Sequence, residues 1–144
     1  MTIQLINQHK QWLVLAALVL TLAGVFVART AFARITFNTI DPVGIVAHNG
    51  RHVTLTGPLA VTAGERVQMR VTVSQRTTAA VAEGGVILTG TGTTNHWEVE
   101  AAVQGNETFE AGAATATAIA VTSAGGGQAT DAHQWLVNIA LVKE

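Results

Sequence analysis

Two hydrophobic periodicities divide this chain. From Trp12 to Ala28 the run WLVLAALVLTLAGVFVA carries no charge, and Thr21 and Gly24 are its only interruptions. After Arg34 the apolar positions fall at every second residue, the period of a half-buried strand. Val67, Met69, Val71 and Val73 alternate with Gln68, Arg70, Thr72 and Ser74. Trp97, Val99 and Ala101 alternate with His96, Glu98 and Glu100. Trp135, Val137, Ile139 and Leu141 repeat the pattern, but Leu136 and Ala140 make the opposite face apolar too. That last strand is expected to be central or covered. Weaker strands are expected at Ile35 to Ile40, His52 to Thr56, Ala79 to Thr89 with a break at Gly84-Gly85, and Ala114 to Thr122.

Turn signals separate these segments: Asp41-Pro42, Asn49-Gly50, Gly57-Pro58, Ala63-Gly64-Glu65, Gly90-Thr91-Gly92, Gly105-Asn106 and Gly125 to Gly127. Asn49-Gly50 is the best hairpin turn, since both residues tolerate positive φ. The pattern predicts an all-β fold, an antiparallel, Ig-like β-sandwich of about seven or eight strands, preceded by one N-terminal transmembrane helix. The expected organisation is a short tail at 1–11, the membrane helix at 12–33 and an extracytoplasmic β domain at 34–144.

At about 1.5 Å per residue, a helix from Trp12 to Phe32 matches a hydrocarbon core roughly 30 Å thick. Leu15, Leu18, Leu22 and Phe26 supply its lipid-facing bulk. Trp12 suits the headgroup level at one edge, and Arg29 can snorkel at the other. Ala16, Ala17, Ala23 and Gly24 are small enough to let a second helix approach closely. A cleaved signal peptide is the rival reading, with Lys10 as its positive flank and Ala31-Phe32-Ala33 as its cleavage motif. The length of the apolar run and the intrusion of Arg29 favour a retained anchor. The expected location is the bacterial cytoplasmic membrane, single-pass, with the tail inside and the β domain outside.

Gly112 to Thr122, GAATATAIAVT, is unusual because alanine is a poor strand former. Flanking glycines and the alternation of Thr115, Thr117, Ile119 and Val121 favour a strand over a helix. The other face, Ala114, Ala116, Ala118 and Ala120, suits either close packing inside the domain or a flat, uncharged surface for another subunit.

Composition narrows the function classes. Charged residues make up 12% of the 144 residues and the net charge is −1. No Lys/Arg cluster occurs, which argues against a nucleic-acid partner. With no cysteine, disulfides, thiolate metal sites and cysteine nucleophiles are excluded. His96, Glu98 and Glu100 share one strand face, but neighbours along a single face lie about 6.5 to 7 Å apart and do not converge on a metal. Ser74 and Ser123 lie outside any nucleophile elbow. Gly125 to Gly127 lacks the Gly-Lys-Ser/Thr ending of a phosphate loop. The chain therefore reads as a non-enzyme without cofactor, catalytic site or metal site.

The stretch TGPLAVTAGERVQMRVTVSQ, Thr56 to Gln75, and the stretch DAHQWLVNIAL, Asp131 to Leu141, together resemble small bacterial exported β-rich proteins of uncharacterised function. The likeness spans about half the chain. It implies a β-rich exported domain and brings no catalytic residue with it. Many such proteins carry cysteines, which this chain lacks.

The expected role is a non-catalytic, single-span accessory or structural subunit of a larger bacterial membrane complex, of the photosynthetic reaction-centre, light-harvesting or respiratory kind. Its expected partners are integral membrane subunits and lipid, and a homo-oligomer is allowed. The alternatives are a membrane-tethered adhesion module, with Phe109 as the main loop aromatic, and a self-assembling filament or surface-layer subunit joined by strand addition near Ala116.

Overall fold

The computed structural model of the protein describes residues 35–125 and 127–144. The expected anchor, with Trp12, Leu15, Leu18, Leu22, Phe26 and Arg29 and its small residues Ala16, Ala17, Ala23 and Gly24, lies outside the described residues. Among the described residues no helix is long and apolar enough to cross a membrane.

The described part is all-β. Its strands are β1 (Ile35–Asn38), β2 (Val43–Val46), β3 (His52–Val61), β4 (Arg66–Gln75), β5 (Ala80–Thr89), β6 (Thr94–Val103), β7 (Gly112–Ser123) and β8 (Ala129–Lys143). Pairing runs β3-β2-β8-β7-β4-β5-β6 and returns from β6 to β3, which closes a seven-stranded barrel. Because pairing is continuous round the ring, the strands do not part into the two sheets of the expected sandwich. The antiparallel expectation holds at every pair but one: β2 runs parallel to β8, with Val43 beside Ala140 and Ile45 beside Val142. That pair brings the first and last parts of the domain together. β1 lies against the far end of β3, Ile35 opposite Val61.

Several boundaries differ from the sequence pattern for local reasons. β3 continues through Gly57-Pro58 instead of turning there. Gly57 stands opposite Trp97, and the Pro58 carbonyl accepts the Thr39 N–H at 3.3 Å, so the strand keeps a backbone partner on that side although proline supplies no N–H. β5 runs unbroken through Gly84-Gly85. β2 gives almost no sequence signal, being four residues long and containing Gly44. The Asn49-Gly50 turn forms as expected, with Gly50 at φ 68° and its N–H donating to the Ala47 carbonyl.

The barrel interior is the core. Val53, Leu55, Val67, Met69, Val71, Val73, Trp97 and Val99 point into it and are buried. β7 contributes Ala114, Ala116, Ala118 and Ala120, also buried. These small side chains let β7 press close to the bulky residues opposite, which is how a narrow barrel fills without voids. Phe109, on the β6–β7 loop, is fully buried and plugs one mouth of the barrel. Its N–H donates to the Gly50 carbonyl at 2.9 Å.

Candidate interaction surface

The two mouths of the barrel differ in charge. Register places Ile35, Val61, Arg66, Thr89, Thr94, Ser123 and Ala129 at one end. This is the proximal end, where the chain arrives from residue 34. Its loops are 62–65, 90–93 and the described residues 124–125 and 127–128, built from Gly, Ala, Thr and Gln with one ionisable side chain, Glu65. Glu65 is buried. The distal end carries Arg51, Arg76, Glu107 and Glu110 in its loops, with Lys143 at the end of β8 and Glu144 beyond it. The proximal mouth thus has no exposed charge in its loops but carries Arg66 and Asp131 on its rim, and the distal mouth is a mixed-charge, solvated cap.

The outer wall also divides. On β3 and β6 it is polar. Glu98 and Glu100 point outward, and the His52 imidazole Nδ1 lies 2.7 Å from Glu100 Oε1. His96 stands opposite Pro58. These residues form a solvated polar face, and among the described residues no group of three His, Asp or Glu side chains converges to hold a metal. On β2 and β8 the wall exposes apolar side chains, Val43, Ile45, Leu136 and Val142, with Gln134 and Asn138 on either side of Leu136. The outer face of the last strand, expected to be covered because of its apolar character, is therefore open in the isolated domain.

β1 and β8 are joined by side chains. The Ile35 N–H donates to Asp131 Oδ2 at 3.0 Å. His133 Nε2 lies 3.5 Å from the same carboxylate, and His133 Nδ1 lies 3.2 Å from Asn38 Nδ2. This polar clasp holds the first described strand to the last. It is a structural zipper.

The alanines expected as a subunit surface stand elsewhere. Ala114, Ala116, Ala118 and Ala120 are in the core, and β7 is hydrogen-bonded to β4 on one side and β8 on the other. Strand addition at Ala116 therefore has no edge to use. What β7 presents to solvent is the opposite face, where Ile119 is exposed. Phe109, expected as an exposed recognition residue, is inside the barrel, because the 104–111 loop folds inward over the mouth. Gln75 fixes that loop: its Nε2 donates to the Glu110 carbonyl and its Oε1 accepts the Glu110 N–H, both at 2.9 Å.

One stretch of wall is incompletely closed. β5 and β6 share register only at Ala82–Val103 and Glu83–Ala102. β6 passes close to Gly84, where a Cβ would lie 2.6 Å from the Glu100 carbonyl oxygen. Beyond Gly84 the two strands diverge, and β5 from Gly85 to Thr89 has a partner only in β4. Val86 and Leu88 point inward yet are only partly buried, so solvent reaches the core side along this edge. Ile87, on the outer face, is 56% exposed. A shallow groove of about 700 Å³ lies over Gly85, bordered by Gln68, Arg70, Glu83, Ile87 and Gln104. Nothing in the sequence alternation of β5 distinguishes this edge from a paired one.

No family model and no curated protein matches the chain. Among solved structures, the chain is similar to AggA of Escherichia coli, the major subunit of aggregative adherence fimbriae type I. The identity is 13%, the match covers 78% of this chain and 95% of that one, and the TM-score is 0.41. At that score the likeness carries no argument about function.

Proposed function

We propose that this protein is a non-catalytic structural subunit of the bacterial cytoplasmic membrane, held by residues 12–33, whose barrel stands outside and meets protein partners through its outer wall. The observation that carries this reading is the charge asymmetry of the barrel. The mouth at which β1 begins carries only Arg66 and Asp131 on its rim and no exposed charge in its loops, whereas the other mouth exposes Arg76, Glu107, Glu110, Lys143 and Glu144. A glycine-rich mouth whose loops expose no charge suits a position close to lipid or to a membrane partner, where each exposed charge would be costly to desolvate. The exposed apolar side chains Val43, Ile45, Leu136 and Val142 supply a contact surface of the kind that marks protein partners.

The test is in-cell photocross-linking from Ile45 and Leu136, compared with Thr56 on the polar wall. Cross-links to membrane proteins from the first two positions, and none from Thr56, support the reading. Equal, sparse cross-linking from all three counts against it.

Self-assembly is the second reading. The observation that favours it is the open edge of β5.

A further inference from the structure

We infer that two copies of this protein join through the open edge of β5, in an antiparallel two-fold pairing centred on Ile87. The inference rests on the self-assembly reading and names its surface.

Four features of the edge carry it. First, Gly85 to Thr89 has no strand partner on the β6 side, so half of its backbone N–H and C=O groups face outward. Five residues is an ordinary strand length. Second, the edge lacks the devices that normally block pairing: no charge, proline or bulge lies between Gly85 and Thr89. Third, the segment Gly-Val-Ile-Leu-Thr is near-palindromic in character about Ile87. Antiparallel pairing centred there sets Val86 against the second copy's Leu88 on the core side and Ile87 against Ile87 on the outer side. The partly buried Val86 and Leu88 are thereby covered. Fourth, the flanking charges are complementary. Glu83, Arg66 and Arg70 form no ion pair among the described residues. Arg66 is opposite Thr89 on β4, and Thr89 falls opposite Gly85 of the other copy, two residues from that copy's Glu83. Each Glu83 then lies two strands from an Arg66, with Cα atoms roughly 12 Å apart, at both ends of the pairing. Like charges do not meet at its centre.

This arrangement is isologous. It consumes the edge in both copies and closes as a dimer, so it does not propagate into a filament.

The experiment uses the full chain in mild detergent. The chain has no native cysteine, so single introduced cysteines report unambiguously. Residues facing each other in an antiparallel pair have Cα atoms about 4.5–5.5 Å apart, within disulfide range. Under mild oxidation Ile87→Cys is expected to give a covalent dimer on a non-reducing gel, whereas Ile119→Cys, exposed on β7, stays monomeric. Ile87→Lys is expected to halve the particle mass measured by light scattering, with an unchanged far-UV circular dichroism spectrum. A wild-type dimer or larger assembly that Ile87→Lys leaves intact, or equal cross-linking of the two cysteine variants, overturns the β5 assignment while self-assembly stands. A monomeric wild type overturns both.

Discussion

Gly57 and Trp97 face each other across β3 and β6, and the indole occupies the space a side chain at 57 would need. A Cβ on Gly57 would lie 2.7 Å from Trp97 Cζ2 and 2.3 Å from the Thr39 carbonyl oxygen. One glycine therefore admits both the largest side chain of the core and the close passage of the segment between β1 and β2. Gly57→Ala is expected to destabilise the domain by about 2–4 kcal/mol, because backbone on one side and a packed ring on the other leave no room to relax. Thermal denaturation of the variant checks this. Combining it with Trp97→Leu should recover part of the loss but not all, since the Thr39 carbonyl remains in place.

Gln75 is buried at 1% relative exposure and acts as a backbone surrogate for Glu110, accepting its N–H and donating to its carbonyl. Gln75→Leu removes both bonds and strands two polar backbone groups beside the barrel mouth. A loss of about 2–3 kcal/mol is expected. Hydrogen exchange should show the 104–111 loop opening more readily in this variant than the β4–β7 ladder does.

The inner and outer faces of β7 should respond oppositely to substitution. Ala118→Leu adds bulk to a filled interior and is expected to cost about 1–3 kcal/mol. Thr117→Lys, one residue away on the outer face, should change stability by less than about 0.5 kcal/mol. Chemical denaturation of the two variants makes the comparison. Equal effects would contradict the assignment of the alanines to the core.

The clasp between β1 and β8 predicts a local effect. Asp131→Ala removes the acceptor of the Ile35 N–H and the neighbour of His133. The expected loss is about 1 kcal/mol, and exchange of the Ile35 amide should quicken while the β3–β6 ladder stays protected. Glu100→Ala, by contrast, breaks the contact with His52 on an exposed wall. It should cost roughly 0–1 kcal/mol.

The strongest alternations were fully legible. β4, β6 and β8 place the expected apolar residues inward, because one buried face forces a period of two. The alanine alternation in β7 also marked its buried face, although the same pattern fitted an exterior surface equally well. Four features were not legible. β2 is too short to show a period, and it is held by pairing with β8 across most of the domain's sequence. The continuation of β3 past Gly57-Pro58 depends on Trp97 and on Thr39, which no local pattern reveals. Phe109 read as an exposed loop aromatic because nothing near it alternates, and its burial follows from the Gln75 clamp. The open β5 edge belongs to the same group: it arises where two strands separate in space while both sequences still alternate.

The central claim is that the barrel is displayed outside a membrane to which its own chain is anchored. The direct measurement is alkaline carbonate extraction of membranes from cells expressing the full chain with a carboxyl-terminal tag, together with protease added to intact spheroplasts. The account predicts full-length protein in the carbonate pellet and a tag that protease removes from outside. A carbonate-soluble product whose new amino terminus is Arg34 would contradict it.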